Sequence, residues 1–281
     1  MSAAVAPRAS RPGHFGIHLV LIAVGLIIVF PFYWMIIAST RTTADLLSYP
    51  PYITPGDQLI ANLQQLFATL PVLRAFFNSL FIATTHTLLV LFFCSLAGFG
   101  FAKYEFPGRD RLFVLLLATM MIPGAISLVP WYIMMSTFGW VNDYRALIIP
   151  GIANAFGIFY LRQYIAGSIP DEMLQAARID GASDFGMYWR IVLPLIRPGL
   201  GTLALLTFLQ SWNDFILPLI ILKDLQMFTL PVIISLLQNQ FGRDLVLVVT
   251  GATLSTVPII AVFVLMSRQF ISGLTAGALK G

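Results

Sequence analysis

The sequence predicts an all-α integral membrane protein: six transmembrane helices and one cytoplasmic helix-turn-helix loop. Three observations carry this prediction. Hydrophobic residues fill 58% of the 281 positions and charged residues only 10%, whereas a soluble domain carries about 25% charged residues. The mean hydropathy is +0.88, so the chain cannot cover a globule with polar surface. Six apolar runs reach the roughly 20 residues that a helix needs to cross the hydrocarbon core. They are continuous rather than alternating, which argues against a transmembrane β-barrel.

The spans fall at about 15–38, 76–102, 112–138, 146–165, 200–222 and 245–270. The first is too long for a cleaved signal peptide, and "IASTRTT" follows it where a small-residue cleavage site would stand. The loop at about 40–74 begins with the proline-stiffened "YPPYITPGDQ" and continues with "IANLQQLFATLPVLRAF", which suits a short surface helix. The fourth span is the least hydrophobic and contains Asn154. Pro31, Pro123, Pro130, Pro150, Pro218 and Pro258 lie within spans and read as kinks, because neighbouring helices can satisfy the backbone groups a proline frees. No long polar segment could fold separately, so 1–281 reads as one domain, and no internal repeat is visible.

Lys and Arg in the loops set the orientation. With the N-terminus in the cytoplasm, Arg8, Arg11, Lys103, Arg109, Arg111, Arg162, Arg178, Arg190, Arg197, Arg268 and Lys280 lie inside. Arg41, Arg74, Arg145, Lys223 and Arg243 lie outside, and both termini are cytoplasmic. The net charge of +4 is spread along the chain and not clustered as a nucleic-acid footprint would be. The lone Cys94 permits no disulfide or zinc pattern within the chain.

Between spans four and five, the loop at about 166–198 contains "QAARIDGASDFGMYWRIVLP", a polar island in an apolar chain. Pro170, Asp171 and Glu172 suit the start of a helix. Met173, Ala176 and Ala177 share one face, thin enough for close approach, and Gly181 supplies the left-handed residue that ends the helix. Ser183 and Asp184 can cap a second helix, on which Phe185, Tyr188, Trp189 and Val192 recur at helical spacing as one aromatic face. Such a knob suits either a groove in a partner protein or the lipid surface.

The spacing of Ala176, Ala177, Gly181, Ile191, Leu193 and Pro194 resembles the EAA loop of ABC importer permeases, and Asp180-Gly181-Ala182 resembles its carbohydrate version. Gln175 stands where the motif has glutamate; its amide, or Glu172 one turn earlier, can replace that contact. "WND" at 212–214 and the ending "SGLTAGALKG" resemble the second permease of maltose- and glycerol-3-phosphate-type importers. The resemblance implies a permease domain with a coupling loop at 166–198 and a C-terminal tail at 271–281 that reaches toward the ATPase. The implied partners are a second, different permease, a dimer of ATP-binding subunits and an extracytoplasmic substrate-binding protein. The implied substrate is a sugar, and ATP and Mg sit on the partner ATPase, not on this chain.

Asp214 is the one acidic residue in the middle of a span, where a charge costs about 3 kcal/mol or more. With Gln210, Ser211 and Asn213 it forms a polar patch, and Trp212 lies among them. The patch suits either a wall of the sugar path or a network between helices. Asn78, near the outer end of span two, is a further path candidate; Asn78, Ser79, His86 and Asn154 each read more readily as interhelical contacts. His86 has no second ligand at metal spacing. No GxxxxGK[ST] loop and no catalytic constellation occurs, so the reading is a transport subunit rather than an enzyme. An ion-coupled carrier would want ionisable residues in several spans, and an ABC permease for another solute stays a second alternative.

Overall fold

The computed structural model describes residues 13–240 and 244–278; within them every regular element is a helix and there is no strand. In chain order these are α1 (Gly13–Ser39), α2 (Leu59–Thr69), α3 (Val72–Lys103), α4 (Arg109–Thr119) and α5 (Gly124–Thr137). Next come α6 (Ala155–Ser168), α7 (Asp171–Ile179), α8 (Asp184–Leu195) and α9 (Arg197–Trp212). The last are α10 (Ile216–Ile221), α11 (Leu230–Gln240) and α12 (Leu245–Ala278). Single turns lie at Thr43–Leu46 and Arg145–Ile148.

Three stretches are individually long and apolar enough to cross a membrane: Gly16–Ser39, Val72–Lys103 and Leu245–Leu265. Pro31 and Pro258 sit inside these helices without breaking them. The backbone of α12 stays helical to Ala278, so most of the expected tail continues the last helix; residues 279–281 lie outside the described region.

The runs at 112–138, 146–165 and 200–222 are interrupted. α4 and α5 meet at 90° across a turn at 120–123. Pro123 cannot donate a helical hydrogen bond and disfavours helix in the residue before it. The fourth run opens with the turn at Arg145–Ile148, passes through a non-helical turn at Pro150 and Gly151 (φ +81°), and resumes as α6. The fifth stops at Trp212 and restarts at Ile216. Backbone amides lost at these breaks find side chains: Asn154 Oδ1 accepts from Gly157 N at 2.8 Å, and Asp214 Oδ1 from Leu217 N at 3.3 Å.

Between helices in lipid there is no hydrophobic gain, so close contact between small residues does the packing. A Cβ on Gly157 would stand 2.7 Å from Cys94 Sγ, so α3 and α6 touch where glycine meets the small thiol. Around this contact Val90, Ile158, Leu161 and Leu203 are buried. Toward one end, α2, α3, α9, α11 and α12 bury Leu66, Val72, Phe208, Trp212, Leu230 and Leu237 together. Toward the other, Phe99, Ile165, Leu174, Met187, Tyr188 and Val192 join α3 and α6 to α7 and α8. Sequence pattern alone did not single out α11. Its first amide, Leu230 N, donates to Ser79 Oγ at 2.8 Å, which ties it to α3.

Candidate functional site

The three helix interruptions converge. Thr119, Met120 and Ile122 from the first, Pro150, Gly151 and Asn154 from the second, and Asp214 from the third all line one cavity of about 730 Å³. Gln210, Ser211, His86 and Phe156 complete its polar and aromatic wall. Non-helical backbone at membrane depth is tolerated only where protein buries it or where it lines a wet space, and broken helices mark the binding sites of many transporters. Gln210 is exposed on the cavity wall, and its side-chain amide has no hydrogen bond within the described residues. Among the residues lining the cavity are one carboxylate and no Lys or Arg.

The expected path residues divide. Gln210 and Asp214 line the cavity, and Trp212, Asn213 and Asn78 do not. The Trp212 ring is only 1% exposed, stacks on Phe208 at 5.8 Å and meets the edge of Phe76, and its Nε1 donates to Ser255 O at 3.1 Å. It is a packing residue with no face left for a sugar. Asn213 donates back to Leu209 O at 2.9 Å and closes α9. Asn78 Nδ2 donates to the carbonyls of Gln226 and Phe228 at 2.9 and 3.0 Å, and so holds the loop before α11. His86 and Asn154 combine both roles: His86 Nδ1 lies 2.8 Å from Ile148 O while its ring borders the cavity.

The second candidate site is the segment 166–198. α7 ends with Ala182 N donating to Ala177 O at 2.9 Å and Gly181 in the left-handed region at φ +80°, a conformation glycine adopts without penalty. Ser183 Oγ accepts from Gly186 N at 3.1 Å and caps α8. The face expected to hold Met173, Ala176 and Ala177 together is split. Ala177, with Ala182, Ile191 and Leu193, packs on the buried cluster at the end of α3 and α6. Glu172, Gln175, Ala176, Asp180, Gly181 and Pro194 are exposed. The expected aromatic face is split too: Tyr188 and Val192 are fully buried, while Phe185 and Trp189 are 56% and 49% exposed. A π turn over Tyr188–Val192 rotates that helix away from 3.6-residue register, so even helical spacing misjudges its faces.

The end of α3 grips this segment. Lys103 Nζ donates to Ile169 O at 2.5 Å and to Asp171 Oδ1 at 2.6 Å. Tyr104 Oη donates to Asp184 Oδ1 at 2.7 Å, and the Arg178 guanidinium lies 5.3 Å from the Tyr104 ring centre. Burial, then the neighbouring Asp184 carboxylate, hold the Tyr104 phenol above its ordinary value, so it stays protonated and keeps donating.

A family model described as "binding-protein-dependent transport system inner membrane component" matches residues 94–276. The chain belongs to that family of inner-membrane transport permeases and is a multi-pass membrane protein. It is 35% identical over 266 residues to the arabinooligosaccharides transport system permease protein AraQ of Bacillus subtilis (strain 168), covering 94% of each chain. It is 34% identical to the lactose transport system permease protein LacG of Rhizobium radiobacter, covering 88% of this chain and 89% of the relative. It is 31% identical to the sn-glycerol-3-phosphate transport system permease protein UgpE of Agrobacterium fabrum, covering 92% and 93%. In fold it matches a chain of a crystallised bacterial ABC transporter for import of the polysaccharide alginate. There the TM-score is 0.79 at 22% identity, over 94% of this chain and all of that one.

Proposed function

We propose that this chain is one membrane-spanning subunit of an ATP-driven importer that carries a sugar or sugar derivative across the cytoplasmic membrane. The observation that carries the reading is the meeting of three helix breaks at one cavity with Gln210 and Asp214 on its wall. The names of the relatives at 34–35% identity supply the substrate class. Amide, hydroxyl and carboxylate groups suit a polyhydroxylated solute, and the absence of cations among the cavity-lining residues suits a neutral one.

In this reading the six expected runs form the spans and both termini are cytoplasmic. The segment 166–198 is the cytoplasmic coupling loop, with Glu172, Gln175, Ala176, Asp180, Gly181 and Pro194 facing an ATP-binding subunit. Ala177, Ala182, Ile191 and Leu193 fix that surface to the permease. The partners are a different second permease, a dimer of ATPase subunits that holds ATP and Mg, and an extracytoplasmic binding protein that delivers the sugar. Residues 271–281 extend toward the ATPase.

The test is co-purification of the ATPase with wild type, Gly181→Pro and Ala176→Arg. Proline cannot adopt φ +80°, and an arginine at the exposed Ala176 obstructs docking without entering the core. Loss of the ATPase from both variants at normal membrane levels is the expected result. Undiminished binding and transport overturns the assignment and makes the segment a lipid-surface helix.

A further inference from the structure

The two residues that end α3 hold the first residue of each helix in the coupling segment. Lys103 reaches Asp171, where α7 begins, and Tyr104 reaches Asp184, where α8 begins. Lys103 also bonds Ile169 O, the carbonyl of the residue that caps α6. Three helix ends therefore meet at one ammonium group. The Lys103 side chain is 5% exposed, whereas Asp171 is 72% exposed. A surface ion pair of this length would contribute little. A buried ammonium differs, because without acceptors it leaves an uncompensated charge. The geometry therefore specifies where α7 starts, to within the reach of one hydrogen bond.

We infer that Lys103 and Tyr104 are positioning residues that make α3 and the segment 169–188 move as one body. This rests on the proposed coupling role of that segment. α3 is the long helix that also contributes His86 to the cavity. Force delivered to α7 by a partner then reaches the cavity wall through α3 itself, not only through the link from α8 to α9, which bends by 78°. Ser95 and Tyr188, in contact at 2.7 Å, add a third tie between α3 and the segment.

The experiment uses the assembled importer in vesicles and measures sugar molecules moved per ATP hydrolysed, with ATPase co-purification as the assembly control. Lys103→Met fills the same space but donates nothing. The expected result is intact assembly and a transport-to-ATP ratio lowered by about tenfold, the factor that loss of one hydrogen bond to a charged group allows. Lys103→Arg, which keeps donors for both acceptors, is expected to restore most of the ratio. Tyr104→Phe keeps the ring packed on Phe99 and removes only the hydroxyl, so it decides the matter if Lys103→Met fails to assemble. A lowered ratio in Tyr104→Phe supports the inference. An unchanged ratio in both variants overturns it, as does a Lys103→Arg that behaves like Lys103→Met. Failure of the wild-type chain to bind any ATPase would instead sink the coupling reading beneath it.

Discussion

Ser95 Oγ and Tyr188 Oη lie 2.7 Å apart in the protein interior, 93 positions apart in sequence. Ser95 has a second bond, to Phe92 O at 3.1 Å, whereas the other contact of Tyr188 Oη is a long 3.5 Å one to the same carbonyl. The two partners therefore differ in how much each loses. Ser95→Ala, which strands a buried hydroxyl, is expected to cost about 1–3 kcal/mol, and Tyr188→Phe about 1 kcal/mol. The double variant should cost less than the sum of the two. Thermal unfolding of the purified protein in detergent checks this. Strict additivity would mean that the pair is not coupled.

Gly157 and Cys94 give a packing prediction with its own rescue. Gly157→Ala places a methyl group 2.7 Å from Cys94 Sγ, and overpacking of this kind costs about 1–3 kcal/mol. Cys94→Ala removes that sulfur, so the double variant should recover much of the loss in the same unfolding measurement. No recovery would show that α3 and α6 separate rather than repack.

Asn78 and Trp212 should behave as structural residues, unlike Gln210 and Asp214. Asn78→Ala frees the carbonyls of Gln226 and Phe228 and should lower stability by about 1 kcal/mol per lost bond. Transport per folded molecule should hardly change. A selective transport defect at normal stability would return Asn78 to the solute path.

Gln210→Ala and Asp214→Asn should do the reverse: normal membrane levels and assembly, with sugar uptake slowed by about tenfold, the scale of one hydrogen bond to solute. Uptake by vesicles at saturating ATP reads this directly. Wild-type uptake in both would remove the cavity from the transport path.

Gly181→Ala tests the elbow alone. Nothing lies within 4 Å of the added Cβ, so the cost is purely conformational, about 1 kcal/mol for an L-residue in the left-handed region. Partial weakening of ATPase binding is expected, smaller than for Gly181→Pro. Equal loss in the two would point to side-chain obstruction instead of backbone geometry.

Composition and run length determined that this chain is a helical membrane protein. Lipid partitioning is a property of each local stretch, so the runs at about 15–38, 76–102 and 245–270 were readable without any neighbour, and the structure has apolar helices at 16–39, 72–103 and 245–265. The offsets from Ala176 to Pro194 pointed to the family for a related reason: a glycine elbow before a capped helix is local chemistry, visible in Gly181 and Ser183. Rotation and convergence were decided elsewhere. Ala177 and Tyr188 face inward because α3 and α6 offer a buried cluster there, and a π turn shifts the register that spacing assumes. Trp212 and Asp214 are two residues apart, yet one is sealed against Ser255 and the other borders the cavity. The breaks at 120–123, 149–154 and 213–215 share one space only after the helices have packed. Each interruption has a local cause in proline, glycine or a capping side chain, but their meeting point is a long-range arrangement that no single stretch of sequence contains.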